Sequence, residues 1–178
     1  MASETPKWKL ALSGVQLVVL DVDGVLTDGR VVYAGAEEVQ HFHVQDGAAL
    51  VWMRQSGIKL AWITGRGSKA TEVRAKELGI AELHQKSGPK EAVLGALQLR
   101  LRIGPEHTLA MGDDLMDLGL FARAGVRVAP ANARPEILAR ADFVTASAGG
   151  LGAVREMAEH LLRARGVWDA IVAGAGTL

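Results

Sequence analysis

"LVVLDVDGVLTD", from Leu17 to Asp28, carries four apolar residues straight into two acids, Asp21 and Asp23, with a glycine immediately after. The apolar run, extended back to Val15, is β-branched and nearly unbroken. That pattern predicts a parallel strand covered on both faces. Its abrupt end in two carboxylates one residue apart needs explaining, because like charges that close repel and each is costly to desolvate.

Working outward, strands and helices alternate. Arg30–Tyr33 and Glu38–His43 flank Ala34-Gly35-Ala36 and read as a β-hairpin. Asp46 is placed to cap a helix running to Gln55 and ended by Gly57. A second buried strand, "IKLAWIT", ends at Thr64. Ser68 caps the next helix, which Gly79 closes. "AELHQ" is a short third strand, and Gly88-Pro89 opens a helix to about Arg102. "HTLAMGDD" is a fourth strand ending in acids, followed by a helix over Leu115–Ala124. "GVRVAP" and "ADFVTA" are the fifth and sixth strands, with a short helix from Pro135 between them. A last helix reaches about Arg165. This alternation predicts a Rossmann-like α/β fold, a doubly wound parallel sheet with a small hairpin insertion. Residues 1–14 read as an N-terminal extension, 15–165 as one domain, and 166–178 as a flexible tail.

Bulk composition narrows the function. The 178 residues are 49% hydrophobic and 22% charged, with 20 basic residues against 20 acidic ones. That balance gives no electrostatic footprint for nucleic acid or an anionic membrane. No cysteine is present, which excludes thiolate metal sites, thiol nucleophiles and disulfides. No apolar run approaches a membrane span, and "MASETPKWKLALSG" lacks the apolar core of a signal peptide, so a cytoplasmic location is expected.

Ligands of open α/β sheets sit beyond the carboxyl ends of the strands. There the sequence places Asp21 and Asp23, then Thr64, then Asp113 and Asp114, with Lys90 on the segment after the third strand. Three carboxylates converging on one rim need a cation, and an all-oxygen set favours Mg²⁺. Such an ion offsets the repulsion of the opening pair and leaves one carboxylate free as nucleophile, the other to exchange a proton. Thr64 and Lys90 supply donors to phosphoryl oxygens. Trp52 and Trp62 read as core. His41 and His43 lie two apart on one strand face without an evident third ligand. "GRGSKAT" has the wrong spacing for a P-loop.

These motifs, "DVDGVLTD", "ITGR", Lys90 in "SGPKEAV", and "GDDLMD", occur in the order found in the haloacid dehalogenase superfamily, which the chain resembles. The resemblance implies that Asp21 attacks phosphorus and that Asp23 protonates the leaving alcohol and then activates water. It implies that Asp21, the Asp23 carbonyl and Asp113 hold Mg²⁺, with Asp114 or Asp117 in a water-mediated contact. Asp23, where the ion-pumping ATPases of the superfamily carry threonine, favours hydrolysis; mutase activity stays open. The gaps Asp28–Asp46 and Lys90–Asp113 hold only a hairpin, and one helix with one strand, so no cap domain is expected.

With "EEVQHFHVQDGAAL" and "GGLGAVREM" added, the chain is similar to the capless phosphatases of 3-deoxy-D-manno-octulosonate 8-phosphate, a step of lipopolysaccharide biosynthesis. That similarity implies a homotetramer whose hairpins form a central barrel. It implies a small-molecule sugar-phosphate substrate contacted by Asp23, His43, Val44, Gln45, Asp46, Gly47, Arg66, Arg74 and Lys90. The sequence departs from that pattern at Val51 and Leu151, which replace arginines, and at His43 and Gln45, which replace asparagine and arginine. Another sugar phosphate, such as a nine-carbon 9-phosphate, therefore remains an alternative substrate, and a non-catalytic binding module an alternative role.

Overall fold

A computed structural model describes the chain over residues 6–174. A short helix, α1 (Lys7–Ala11), and one 3₁₀ turn lead into β1 (Leu17–Leu20). The hairpin strands are β2 (Val32–Ala34) and β3 (Glu37–Val39), and α2 (Val44–Gln55) follows. Next come β4 (Lys59–Ile63), α3 (Lys69–Leu78), β5 (Glu82–His84) and α4 (Lys90–Leu101). The chain continues through β6 (Thr108–Met111), α5 (Leu118–Phe121), β7 (Val126–Ala129), α6 (Pro135–Leu138) and β8 (Phe143–Val144). It closes with α7 (Ala153–Ala164) and α8 (Trp168–Gly174).

Six strands form one parallel sheet in the order β5-β4-β1-β6-β7-β8, with β1 hydrogen-bonded on both sides, Leu20 opposite Trp62 and Met111. The side chains of the central strands alternate between two cores, as the period of two demands. Val18 and Leu20, Leu60 and Trp62, and Leu109 and Met111 face the core shared with α2 and α7. Leu17 and Val19, Ala61 and Ile63, and Ala110 face α4 and α5. Both faces of β1 are therefore dry, so its only wet part is its carboxyl end. The hairpin forms a separate antiparallel pair, with Val32 opposite Val39, outside the main sheet.

The expected doubly wound sheet and hairpin are both present, and among the described residues 28–46 hold only the hairpin and the start of α2, and 90–113 one helix, a 3₁₀ turn and one strand. Several local expectations change. Asp46 does not cap α2. His43 occupies the N-cap, and Asp46 is 1% exposed inside the first turn, where its Oδ1 accepts a 2.7 Å hydrogen bond from the backbone N–H of Arg155. The carboxylate thus satisfies an orphan donor at the start of α7, a helix more than a hundred residues away. The helix expected over Leu115–Ala124 is split. A 3₁₀ turn, Leu115–Asp117, precedes α5, because Asp114 and Asp117 form a capping box that tightens the first turn. Part of the segment read as a flexible tail is helical: α8 begins at the buried Trp168, whose ring meets Trp52 edge-on at 5.9 Å. Arg155 lies over both indoles. The rest of that tail, 175–178, lies outside the described residues, as does the start of the N-terminal extension.

Candidate active site

Four chain segments meet at the carboxyl end of the sheet and line a cavity of about 300 Å³. Asp21 follows β1, Thr64 follows β4, Lys90 opens α4, and Asp113 and Asp117 follow β6. Asp23, Arg66 and Asp114 also line it.

The turn after β1 is shaped around this cavity. Gly24 has φ +93°, and a Cβ there would collide with the Asp113 carboxylate, so only glycine lets the two loops meet. Gly149 packs against the Gly24 carbonyl with no space for a side chain. Asn132, after β7, ties these loops together: its Oδ1 accepts from the Gly149 N–H at 2.6 Å and its Nδ2 donates to the Gly24 carbonyl at 3.3 Å.

The charged centre is buried. Asp21 is 7% exposed, Lys90 5% and Asp117 fully buried. Lys90 Nζ stands 2.8 Å from Asp21 Oδ1 and donates to Asp117 Oδ1 at 2.7 Å. The other oxygen of Asp117 accepts from the backbone N–H groups of Asp113 and Asp114. Asp113 Oδ1 is buried without a hydrogen-bond partner, whereas Asp21 Oδ1 faces the Lys90 ammonium. Burial, reinforced by the Asp117 charge, pushes Asp21 up to about 7 against the pull of Lys90. Burial likewise pushes Asp113 up to about 7, with Asp117 and Asp114 adding repulsion. For Lys90, burial favours the neutral amine, yet the carboxylates of Asp21 and Asp117 outweigh it and its pKa rises. One ammonium among three acids leaves the centre short of positive charge.

Oxygen ligand atoms of Asp21, Asp113 and Asp117 all lie within 4.8 Å of one another. Asp117 already has both oxygens engaged and Asp21 Oδ1 faces Lys90, whereas Asp113 keeps a buried oxygen without a partner. Hard oxygen donors with unmet charge fit a divalent cation such as Mg²⁺.

Asp23 sits at the outer edge. Its Oδ2 accepts from Thr64 Oγ1 at 3.1 Å and its Oδ1 from Gln40 Nε2 at 3.1 Å. Arg66 Nε lies 4.0 Å from Asp23, and Arg66 Nη2 bonds Glu38 at 2.7 Å. Thr64 is 2% exposed, and its carbonyl is held by the N–H and hydroxyl of Ser87.

Seven of the expected site residues therefore converge: Asp21, Asp23, Thr64, Arg66, Lys90, Asp113 and Asp117. Asp114 lines the cavity, but one carboxylate oxygen accepts from the Leu115 N–H. His43, Val44, Gln45, Asp46 and Gly47 form the start of α2, outside this lining. Of these, Val44 is exposed and Asp46 buried, while His43 Nδ1 stands 4.0 Å from Asp46. Arg74, on α3, pairs with Glu77 and lies against Gly47. It borders a neighbouring cavity of about 580 Å³ between the hairpin and α3. Val51 is half-buried in α2 and Leu151 is exposed.

Sequence reading missed Gln40 and Asn132. Gln40 gave no signal, being one polar residue in a polar hairpin. Asn132 did, since it follows a parallel strand at the rim where ligands collect.

Residues 62–157 match the model of the haloacid dehalogenase-like hydrolases. A curated relative from Escherichia coli, a 3-deoxy-D-manno-octulosonate 8-phosphate phosphatase, is 43% identical over 157 residues, covering 87% of this chain and 83% of its own. The chain belongs to the haloacid dehalogenase-like hydrolases.

Solved structures place this hydrolase among the same neighbours. The octulosonate 8-phosphate phosphatase of Moraxella catarrhalis, crystallised with magnesium, phosphate and the sugar acid, superimposes with a TM-score of 0.92 at 38% identity. That match covers 96% of this chain and 98% of the other. The cobalt-bound phosphatase from Haemophilus influenzae gives 0.87 at 34% identity, covering 90% and 94%. Among the described residues of this hydrolase, no helix is long and apolar enough to cross a membrane.

Proposed function

We propose that the protein is a Mg²⁺-dependent phosphatase that hydrolyses 3-deoxy-D-manno-octulosonate 8-phosphate to the free sugar acid and phosphate. The observation that carries this reading is the convergence of Asp21, Lys90 and Asp113 beside the Asp23–Thr64 pair in one cavity. Every chemical role of phosphoryl transfer to a carboxylate finds a residue there.

Asp21, at the end of a rigid buried strand, attacks phosphorus through a carboxylate oxygen. As the P–O ester bond breaks, Asp23 delivers its proton to the departing alkoxide oxygen, leaving an aspartyl-phosphate and the free sugar acid. Asp23, now a carboxylate, takes a proton from water whose oxygen attacks phosphorus, and Asp21 is regenerated as phosphate leaves. Lys90 and Thr64 donate to the phosphoryl oxygens as charge shifts onto them. Asp117 holds Lys90 in place. Asp21, Asp113 and the Asp23 carbonyl are the groups that would hold Mg²⁺, with Asp114 or Asp117 in a contact through water. Bound there, the ion supplies positive charge beside the transferring phosphoryl group.

The relatives named above act on, or are bound to, the octulosonate, which supports this ester as substrate. The apolar residues Val51 and Leu151 keep a different sugar phosphate in contention. The assembly we propose is a homotetramer packed through the hairpins, whose Val31, Val32 and Tyr33 are exposed in a single chain.

The test is phosphate release from a panel holding the octulosonate 8-phosphate, a nine-carbon 9-phosphate and common sugar phosphates, with Mg²⁺ and with chelator. Metal-dependent preference for the octulosonate ester is expected. Preference for another ester overturns the substrate, and no release from any overturns the activity.

A further inference from the structure

Asp23 is held by two segments directly and by α3 through one of them. Thr64, after β4, donates to one of its oxygens. Gln40, after β3 in the hairpin, donates to the other. Gln40 is held in turn by α3: Thr71 Oγ1 donates to Gln40 Oε1 at 2.6 Å, and Thr71 is only 1% exposed. The polarity of this chain is self-consistent. Gln40 turns its NH₂ toward Asp23 Oδ1. Its carbonyl then faces Thr71, which must donate.

With one fixed donor on each oxygen, the Asp23 carboxylate cannot rotate without breaking both bonds. On the hairpin side, Arg66 stands 4.0 Å from Asp23 and pairs with Glu38, which draws it toward the hairpin. Gln40 is thus a neutral donor that orients the carboxylate without adding charge. We propose that Gln40 is a positioning residue for Asp23, locked in its productive orientation by Thr71. The hairpin then completes the proton-transfer apparatus as well as decorating the fold. This rests on the reading of Asp23 as the proton donor to the leaving group.

Leaving-group dependence tests it. An alkyl ester such as a sugar phosphate needs a proton on its departing oxygen; p-nitrophenyl phosphate does not. The readout is the ratio of kcat/KM for the sugar phosphate to that for p-nitrophenyl phosphate, which a merely structural role would leave unmoved because both esters would suffer alike. In Gln40→Leu and in Thr71→Val this ratio is expected to fall by about tenfold or more, within the range general-acid catalysis provides. Thr71→Ser, which keeps the donor, holds the ratio within about twofold of wild type on the same scale. An unchanged ratio in both Gln40→Leu and Thr71→Val overturns the proposal. Thr71→Val is nearly isosteric and decides the matter alone where Gln40→Leu does not fold. Asp23→Asn, measured alongside, separates the two claims: if its ratio matches wild type, the acid role of Asp23 falls and not merely its positioning.

Discussion

Lys90 Nζ donates to Asp117 Oδ1 at 2.7 Å, and neither side chain is more than 5% exposed. The same ammonium stands 2.8 Å from Asp21. A buried cation pinned between the proposed nucleophile and a fully buried acid has little freedom, so it presents its charge in one place. Breaking such a pair from one side leaves an uncompensated buried charge.

Lys90→Met is therefore expected to remove turnover and to destabilise the metal-free protein by about 3–5 kcal/mol, the usual cost of orphaning one partner. Denaturant unfolding in chelator measures the second effect. Saturating Mg²⁺ recovers part of it by supplying the missing positive charge.

Without metal, stability falls as pH rises. Asp21 and Asp113 titrate near 7 in the folded protein against 3.8 when unperturbed. Between about 4 and about 7 the native state holds more protons than the unfolded state, so these two groups subtract stability as pH rises through that window. A cation takes the place of those protons. The expected outcome is a Tm in chelator that declines across this range and a Tm in Mg²⁺ that does not follow it. Equal pH profiles with and without Mg²⁺ would remove the metal from this cluster.

Asp46→Ala should loosen α7 rather than α2. The carboxylate accepts from the Arg155 N–H in the first turn of α7, and losing a cap of this kind costs about 1 kcal/mol. Asp46→Asn keeps an acceptor oxygen and should retain most of that stability. Hydrogen exchange resolves the effect by helix: faster exchange at the start of α7 is expected, with α2 unchanged.

Asn132→Ala tests the brace between the loops of β1 and α7. Truncation leaves the Gly149 N–H and the Gly24 carbonyl without this partner, a loss of about 1 kcal/mol in unfolding free energy. Turnover should fall as well, because Gly24 follows Asp23 directly and packs on the Asp113 carboxylate.

How much of this was legible in the sequence follows from how locally each feature is determined. The strand Leu17–Leu20 and its acidic end were readable because burial on both faces leaves a continuous apolar run, and two carboxylates one residue apart end it. Thr64, Lys90 and Asp113 were readable once that strand fixed the rim, since parallel strands all end on one side. Ser68 capping α3 was local chemistry too, its Oγ accepting from Ala70 N–H. Asp46 misled because a carboxylate early in a helix looks like that helix's own cap; its real partner lies on α7, and one-dimensional spacing carries no such information. Gln40 and Thr71, thirty-one residues apart, stayed hidden for the same reason. The tail was read as flexible because its glycines and weak periodicity hide one decisive side chain, Trp168, whose burial against Trp52 and Arg155 anchors α8.

The most direct test of the account is to catch the phosphoryl group on Asp21. The enzyme, turning over 3-deoxy-D-manno-octulosonate 8-phosphate with Mg²⁺, is quenched in acid within its first turnovers, and its peptides are mapped by mass. The account predicts a phosphoryl group on the Asp21 peptide, absent in chelator and absent in Asp21→Asn, which also releases no phosphate. Turnover that leaves Asp21 unmodified, together with an Asp21→Asn variant that works at the wild-type rate, would contradict it.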